Sequence, residues 1–183
     1  LKSKIFDNIV VSTDSEKIRS KCKKFDKIYI FNRDKKISLD KSPTEDVVKD
    51  VLIKLKKKIN YSPDYIFILE PTSPLRSTKT IRKAKSILKN KKVNSLITVK
   101  EIGNIPGKIK QNKFHYNEKR INRRQERQKY YEESSTLYCV KHAYFLMTNK
   151  IVSKRPFCFS VDKKEAIDIN DYDDFDIATK LIK

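Results

Sequence analysis

Short apolar runs alternate with longer amphipathic stretches along this chain. Ile9–Ser12, Ile28–Phe31, Tyr65–Leu69 and Ser95–Val99 are rich in β-branched or aromatic residues and nearly continuous in hydrophobicity, which predicts strands buried on both faces. Between them, Ser15–Lys24, Pro43–Lys58, Thr78–Asn90 and, at the end, Asp171–Ile182 repeat apolar residues at helical spacing against a polar face. Strands alternating with amphipathic helices predict βαβ units and an α/β architecture. Two helices carry start signals. Ser42 precedes Pro43 at a first helical position with Glu45 at capping-box distance, and Asn170 or Asp171 stands ahead of an acidic first turn.

From Glu101 to Ser135 the pattern becomes polar, with Pro106, Gly107 and short alternating runs such as Lys113–Tyr116. This stretch reads as an inserted arm or β-ribbon beside the sheet within one domain spanning residues 1–183. Thr136–Val140 and Pro156–Val161 follow as later strands, and Ala166–Ile169 as a strand end leading into the last helix. No internal repeat or low-complexity linker interrupts the chain.

Composition narrows the class. The 183 residues carry a net charge of +20 and a hydrophobic fraction of 38%. Clustered cations would suggest a polyanion partner, but the lysines are spread over nearly every helical stretch, as on a solvated outer face. Only Lys108–Lys129 is basic with interleaved aromatics, and there a small anionic substrate accounts for the arginines as well as nucleic acid does. Cys22, Cys139 and Cys158 are widely spaced, and His115 and His142 lack metal-ligand spacing, so neither a disulfide framework nor a zinc site is expected. No apolar stretch approaches the roughly 18 residues that cross a bilayer, and no secretory leader is visible; the expectation is a soluble, cytoplasmic protein.

The candidate chemistry begins at Glu70-Pro71-Thr72-Ser73-Pro74-Leu75-Arg76, between the strongest strand and a helix. Open α/β sheets bind ligands at such carboxyl ends. The two prolines stiffen the loop, its hydroxyls can donate hydrogen bonds, and Arg76 can grip an anion or pair with a carboxylate; a simple turn with a helix cap has the same appearance. The loop resembles the QPTSPLR motif of acylneuraminate cytidylyltransferases (CMP-sialic acid synthetases), with Glu70 in place of Gln. Val10-Val11-Ser12-Thr13-Asp14 is similar to that family's VSTD strand end, and Thr44-Glu45-Asp46-Val47-Val48 to the helix start beside the base. Arg123-Arg124-Gln125 resembles its arginine-glutamine pair, Thr136-Leu137-Tyr138 its GAIY strand and Ile167-Asp168-Ile169-Asn170 its IDID ending.

The resemblance implies a three-layer αβα nucleotidyltransferase fold, Rossmann-like, whose inserted arm helps form a homodimer. It implies transfer of CMP from CTP to an acidic nine-carbon sugar, a nonulosonate, with release of pyrophosphate. Mg²⁺ is the implied cofactor, since it is held by one or two carboxylates while phosphates and waters complete its octahedron. Asp168 is the implied ligand. Asn170 stands where the family has a second Asp, and in a strand residues 168 and 170 would share a side, though Asn170 reads equally as a helix cap. Lys108 and Arg124 resemble the clamp on the sugar carboxylate, with Glu70 and Tyr138 as polar contacts. Thr44, Ser73, Arg76 and Gln125 complete the implied substrate contacts.

Two departures bear on function. Where the family reads Arg and then Asn-Gly before the tyrosine strand, this chain has Glu132 and Ser134-Ser135, which bears on the identity of the acid sugar. The resemblance also implies a first strand and a basic glycine-rich phosphate loop (ARGGSKG…GKN) ahead of Leu1. The two glycines here, Gly103 and Gly107, do not replace such a loop, so the expectation is a truncated module with little CTP-dependent activity. A related sugar nucleotidyltransferase with another substrate, an inactive module and, less favoured, a basic nucleic-acid binder stay open.

Overall fold

The computed structural model describes residues 1–117, 123–126 and 128–182, apart from the side chain of Arg124. The elements are β1 (Val10–Thr13), α1 (Glu16–Cys22), β2 (Tyr29–Asn32), α2 (Thr44–Ile59), β3 (Tyr65–Ile68), α3 (Thr78–Asn90) and β4 (Ser95–Ile102), then β5 (Gly107–Lys110), β6 (Lys113–Tyr116), β7 (Tyr130–Lys141), α4 (His142–Thr148), β8 (Phe157–Ser160) and α5 (Tyr172–Leu181). β1 and β2 form a parallel pair. A four-stranded sheet has the order β3-β7-β4-β8. Its β4 and β8 are parallel to each other, and β7 runs antiparallel between β3 and β4. The expected βαβ alternation is therefore present in sequence, but the sheet is mixed, because β7 enters its middle from the arm rather than from a crossover helix.

The period-two alternation of the strands divides the core between two faces. On one face Leu96 of β4, Leu137 and Cys139 of β7 and Phe159 of β8 pack against Ile81, Ala84 and Leu88 of α3, with Tyr65 and Phe67 of β3 at the margin. On the other, Val140 meets Val48 of α2, Phe145 of α4 and Ile151, flanked by Ile66, Ile68 and Tyr138. Helices on both sides of a sheet make the expected three layers. α3 occupies the stretch that its apolar spacing marks, with Ser77 as N-cap accepting the Thr80 amide at 3.1 Å. No helix among the described residues is long and apolar enough to cross a membrane.

Two local expectations are corrected, and one element is new. Ser42 does not cap α2: Pro43 holds the cap position with no side-chain bond, and the Ser42 hydroxyl turns back to accept the Leu39 amide at 3.1 Å. Ala166–Ile169 joins no ladder among the described residues; it is held instead by the Ile169 amide donating to the Thr72 carbonyl at 2.9 Å. The short helix α4, hidden in an apolar run, follows β7 directly. At the last helix, Asp171 is the N-cap: it accepts the Asp174 amide at 2.9 Å, while Asp174 accepts the Asn170 amide at 3.0 Å, a reciprocal arrangement.

The arm is continuous with the sheet, since β4 and β7 stay paired out to Ile102 and Tyr130. Beyond them β5 and β6 form a hairpin whose two-residue turn, Gln111-Asn112, has both φ angles positive at 48° and 59°, as type I′ turns require. Gly107 is needed at the hairpin's base, because a Cβ there would sit 2.5 Å from the His115 carbonyl oxygen and collide with the Phe114 ring. Residues 118–122 and 127, expected to belong to the arm, lie outside the described residues.

Candidate active site

β3 ends at Ile68, and the chain turns through Glu70–Arg76 before α3. The turn is tied to β7 by buried polar contacts. Ser73 is 1% exposed, and its hydroxyl lies 2.9 Å from that of Ser135. Arg76 donates through Nε to the Thr136 carbonyl and through Nη2 to the Glu70 carbonyl at 2.8 Å. Burial holds the Arg76 guanidinium below its usual range, with the Glu70 and Glu165 carboxylates acting in the opposite sense. The Ser73 hydroxyl and these two guanidinium nitrogens, expected at substrate, are thus committed to the protein and hold the loop in place.

Tyr138 faces the same side of the sheet as Ile68, its register partner on β3, and Glu70 lies two residues beyond Ile68. The Tyr138 hydroxyl donates to Glu133 Oε1 at 2.9 Å. Burial, the hydrogen bond to Glu133, and the Glu133, Glu70 and Asp168 carboxylates all push the phenol well above its usual range, so Tyr138 stays a neutral hydrogen-bond donor at any working pH.

Asp168 reaches this cluster on the segment after β8. Glu165 anchors that segment: its carbonyl accepts the Thr136 hydroxyl at 3.0 Å and its carboxylate accepts the Thr80 hydroxyl at the start of α3. Oδ1 of Asp168 is buried with no hydrogen-bond partner. An orphaned, buried carboxylate oxygen suits a cation or a strong donor, because unpaired burial of such a group is costly. Among the described residues no three His, Cys, Asp or Glu side chains gather as a metal cage. Asn170 is exposed, and its Nδ2 donates to the Asp168 carbonyl at 3.2 Å. The shared-side argument for residues 168 and 170 does not hold here, because the segment is not a strand.

Thr44, the first residue of α2, is exposed. Lys108 is exposed on β5 opposite His115. Gln125 lies in a short 3₁₀ turn, Arg124–Glu126, and lines a shallow pocket with Ile102, Asn104 and Tyr130 at the arm's base. That base is displaced from the level of Tyr138 by five β4 residues, Ile97 to Ile102, or about 17 Å. The structure therefore gathers Glu70, Tyr138 and Asp168, braced by Ser73 and Arg76, and carries Lys108 and Gln125 on the arm. The Arg124 side chain lies outside the described residues.

Three further groups lie outside the set of residues expected at the site. Glu133 pairs with Tyr138, as above. Ser12 and Arg33 lie at the carboxyl ends of β1 and β2; Ser12 Oγ and Arg33 Nε are both buried without a partner, while Arg33 Nη2 donates to the Ser12 carbonyl. A polar residue directly after a parallel strand is the signal that could have found Arg33.

Comparison with known proteins gives the family and the fold. Residues 1–176 match the family model described as cytidylyltransferase. The chain is 30% identical over 185 residues to the CMP-N,N'-diacetyllegionaminic acid synthase of Campylobacter jejuni, covering 98% of this chain and 79% of that protein. It is 27% identical over 190 residues to the post-translational flagellin modification protein B of Campylobacter coli, covering 99% and 79%. Among solved structures it is similar to a 4-diphosphocytidyl-2C-methyl-D-erythritol synthase, with a TM-score of 0.70 and 10% identity over 98% of this chain and 84% of that one. It is also similar to a CMP:2-keto-3-deoxy-manno-octonic acid synthetase, with a TM-score of 0.64 and 10% identity over 96% and 80%; these two likenesses speak to the fold. The chain belongs to the cytidylyltransferase family. It is a nucleotidyltransferase with the mixed α/β fold of that class.

Proposed function

We propose that this protein activates an acidic, sialic-acid-like nonulosonate with CTP, giving the CMP-sugar and pyrophosphate. The observation that supports the reading best is the buried, unpartnered Asp168 oxygen in the cluster with Tyr138 and Glu70, in a chain similar over 98% of its length to a CMP-N,N'-diacetyllegionaminic acid synthase. In the reaction the anomeric hydroxyl attacks the α-phosphorus of CTP, an O–P bond forms as the hydroxyl proton passes to water, and the bond to pyrophosphate breaks; positioning and electrostatics supply most of the rate. Mg²⁺ fits Asp168, with Asn170 as a neutral oxygen nearby, and supplies neutralisation of the phosphates when bound. The cluster around Tyr138 orients the sugar: the Tyr138 hydroxyl and the Glu70 and Glu133 carboxylates match hydroxyl and amide substituents. Lys108, Arg124 and Gln125 on the arm supply the cationic and polar contacts for the sugar carboxylate. The hairpin exposes Ile109 at 76% and Phe114 at 52%, and this apolar tip is the surface through which a homodimer assembles.

The test is pyrophosphate release with CTP, Mg²⁺ and a panel of acid and neutral sugars, with the products identified by mass. A CMP adduct with an acid sugar is expected; product only with neutral or phosphorylated sugars refutes the nonulosonate reading. Arg124→Ala should raise the KM for the acid sugar about 10–100-fold and leave that for CTP unchanged, from the loss of one charged hydrogen bond. Equal effects on both substrates would move Arg124 to the triphosphate.

A further inference from the structure

A register break in the middle of the sheet shapes the site. On β4, Ile97 pairs with Tyr138 of β7, but the next residue, Thr98, pairs with Ser134, which leaves Ser135, Thr136 and Leu137 as an extra loop on β7. A regular strand would put residues 133 and 138 about 17 Å apart on opposite faces. With the bulge, the Tyr138 hydroxyl and Glu133 Oε1 meet at 2.9 Å. Bulges beside functional sites re-aim side chains in this manner.

The bulge is held from its buried side by one hydroxyl. Thr98 is 0% exposed. Its Oγ1 accepts the Leu137 amide at 3.1 Å and shares its proton between the carbonyls of Ser134, at 3.0 Å, and Leu137, at 3.3 Å. Other ties complete the fastening: Ser134 to Thr136 between hydroxyls at 2.6 Å, Ser135 to Ser73, and Thr136 to both Arg76 and Glu165. Ser73 and Arg76 belong to the loop that begins at Glu70, and Glu165 to the segment that carries Asp168. One bulge therefore joins all three sources of the polar cluster, and Thr98 closes it from β4.

We infer that Thr98 is a positioning residue for the nucleotidyl transfer: by pinning the Ser135–Leu137 bulge it sets the spacing of Tyr138 and Glu133, and so aligns the edge that reads the hydroxyl and amide donors of the sugar. The inference rests on Tyr138 contacting the sugar, as proposed above. Valine matches the shape of threonine but lacks the hydroxyl, whereas serine keeps it.

The experiment measures KM for the acid sugar and for CTP in Thr98→Val, Thr98→Ser and Glu133→Gln. Alongside, the NMR ring resonances of Tyr138, identified by their loss in Tyr138→Phe, are followed in each variant. Thr98→Val should raise the sugar KM about tenfold or more with the CTP KM unchanged, and Thr98→Ser should restore it to within about twofold. Glu133→Gln, at an exposed carboxylate that needs no repacking, should also raise the sugar KM and tests the premise that this edge reads the sugar; if Thr98→Val does not fold, Thr98→Ala, which also lacks the hydroxyl, carries the test with the same two KM values and the same Tyr138 resonances. A sugar KM unmoved by Glu133→Gln, or Thr98→Val effects that fall equally on both substrates, would overturn the inference. If the wild-type chain transfers to no acid sugar, the proposed substrate is wrong, and the Tyr138 resonances then decide: a shift in Thr98→Val restored in Thr98→Ser upholds the positioning role, and no shift refutes it.

Discussion

Replacing Arg76 with methionine separates a structural arginine from a ligand-binding one. The substitution keeps much of the side chain's length and its apolar stem but deletes the donors to the Thr136 and Glu70 carbonyls. Thr136 is 0% exposed, so its carbonyl would lose its partner with no water to replace it, at a cost of about 1–3 kcal/mol. The Glu70 carbonyl belongs to a half-buried residue and can be partly rehydrated, which adds about 1 kcal/mol. Release of the buried guanidinium from its own desolvation returns part of this. A net loss of about 2–3 kcal/mol would lower Tm by roughly 5–10 °C in a domain of this size. The assay is thermal unfolding by circular dichroism, with KM for both substrates measured well below the transition. A fall of less than about 2 °C accompanied by a large rise in either KM would refute the assignment and return Arg76 to the substrate.

Asp168→Asn should abolish Mg²⁺-dependent turnover, by about 10²-fold or more, while leaving Tm unchanged or slightly raised, because Oδ1 has no protein partner to lose; thermal unfolding and pyrophosphate release decide it, and retained turnover would remove Asp168 from the chemistry. The raised Tyr138 phenol carries a pH signature. In the unfolded chain a tyrosine ionises near pH 10, whereas the folded phenol holds its proton to higher pH. The stability contributed is thus complete below about pH 10 and is lost as pH rises beyond it. Tyr138→Phe should make the alkaline fall in stability shallower above that pH, and identical slopes would contradict the shift. Cys139 is fully buried with its thiol pushed up by burial, whereas Cys158 is exposed. A maleimide should therefore label Cys158 rapidly in the native state and Cys139 only on unfolding, as read by peptide mass.

Much of this architecture was legible in the chain's own pattern. The spacing of Ile81, Ala84 and Leu88 determined α3 and its buried face, and the run Tyr65–Leu69 determined a strand, because burial periodicity is a local property that neighbouring residues share. The Glu70–Arg76 loop could be placed at a strand's carboxyl end for the same reason. Tertiary structure decided what each polar atom in that loop does. Arg76 and Thr136 are 60 residues apart, as far beyond local pattern as Ser73 is from Ser135, and no spacing rule could show that the guanidinium would be used up inside the protein. Ser42 stood at the right distance to cap α2, but a hydroxyl takes whichever partner the fold brings, and the turn before it brought the Leu39 amide. The Thr136–Val140 part of β7 could be recognised as a strand from its apolar residues, yet its extension back to Tyr130, its antiparallel insertion between β3 and β4 and its break at Thr98 depend on pairing partners distant in sequence. Periodicity reports how deeply a residue is buried; hydrogen-bond partners are chosen in three dimensions, and the candidate site is built from those partners.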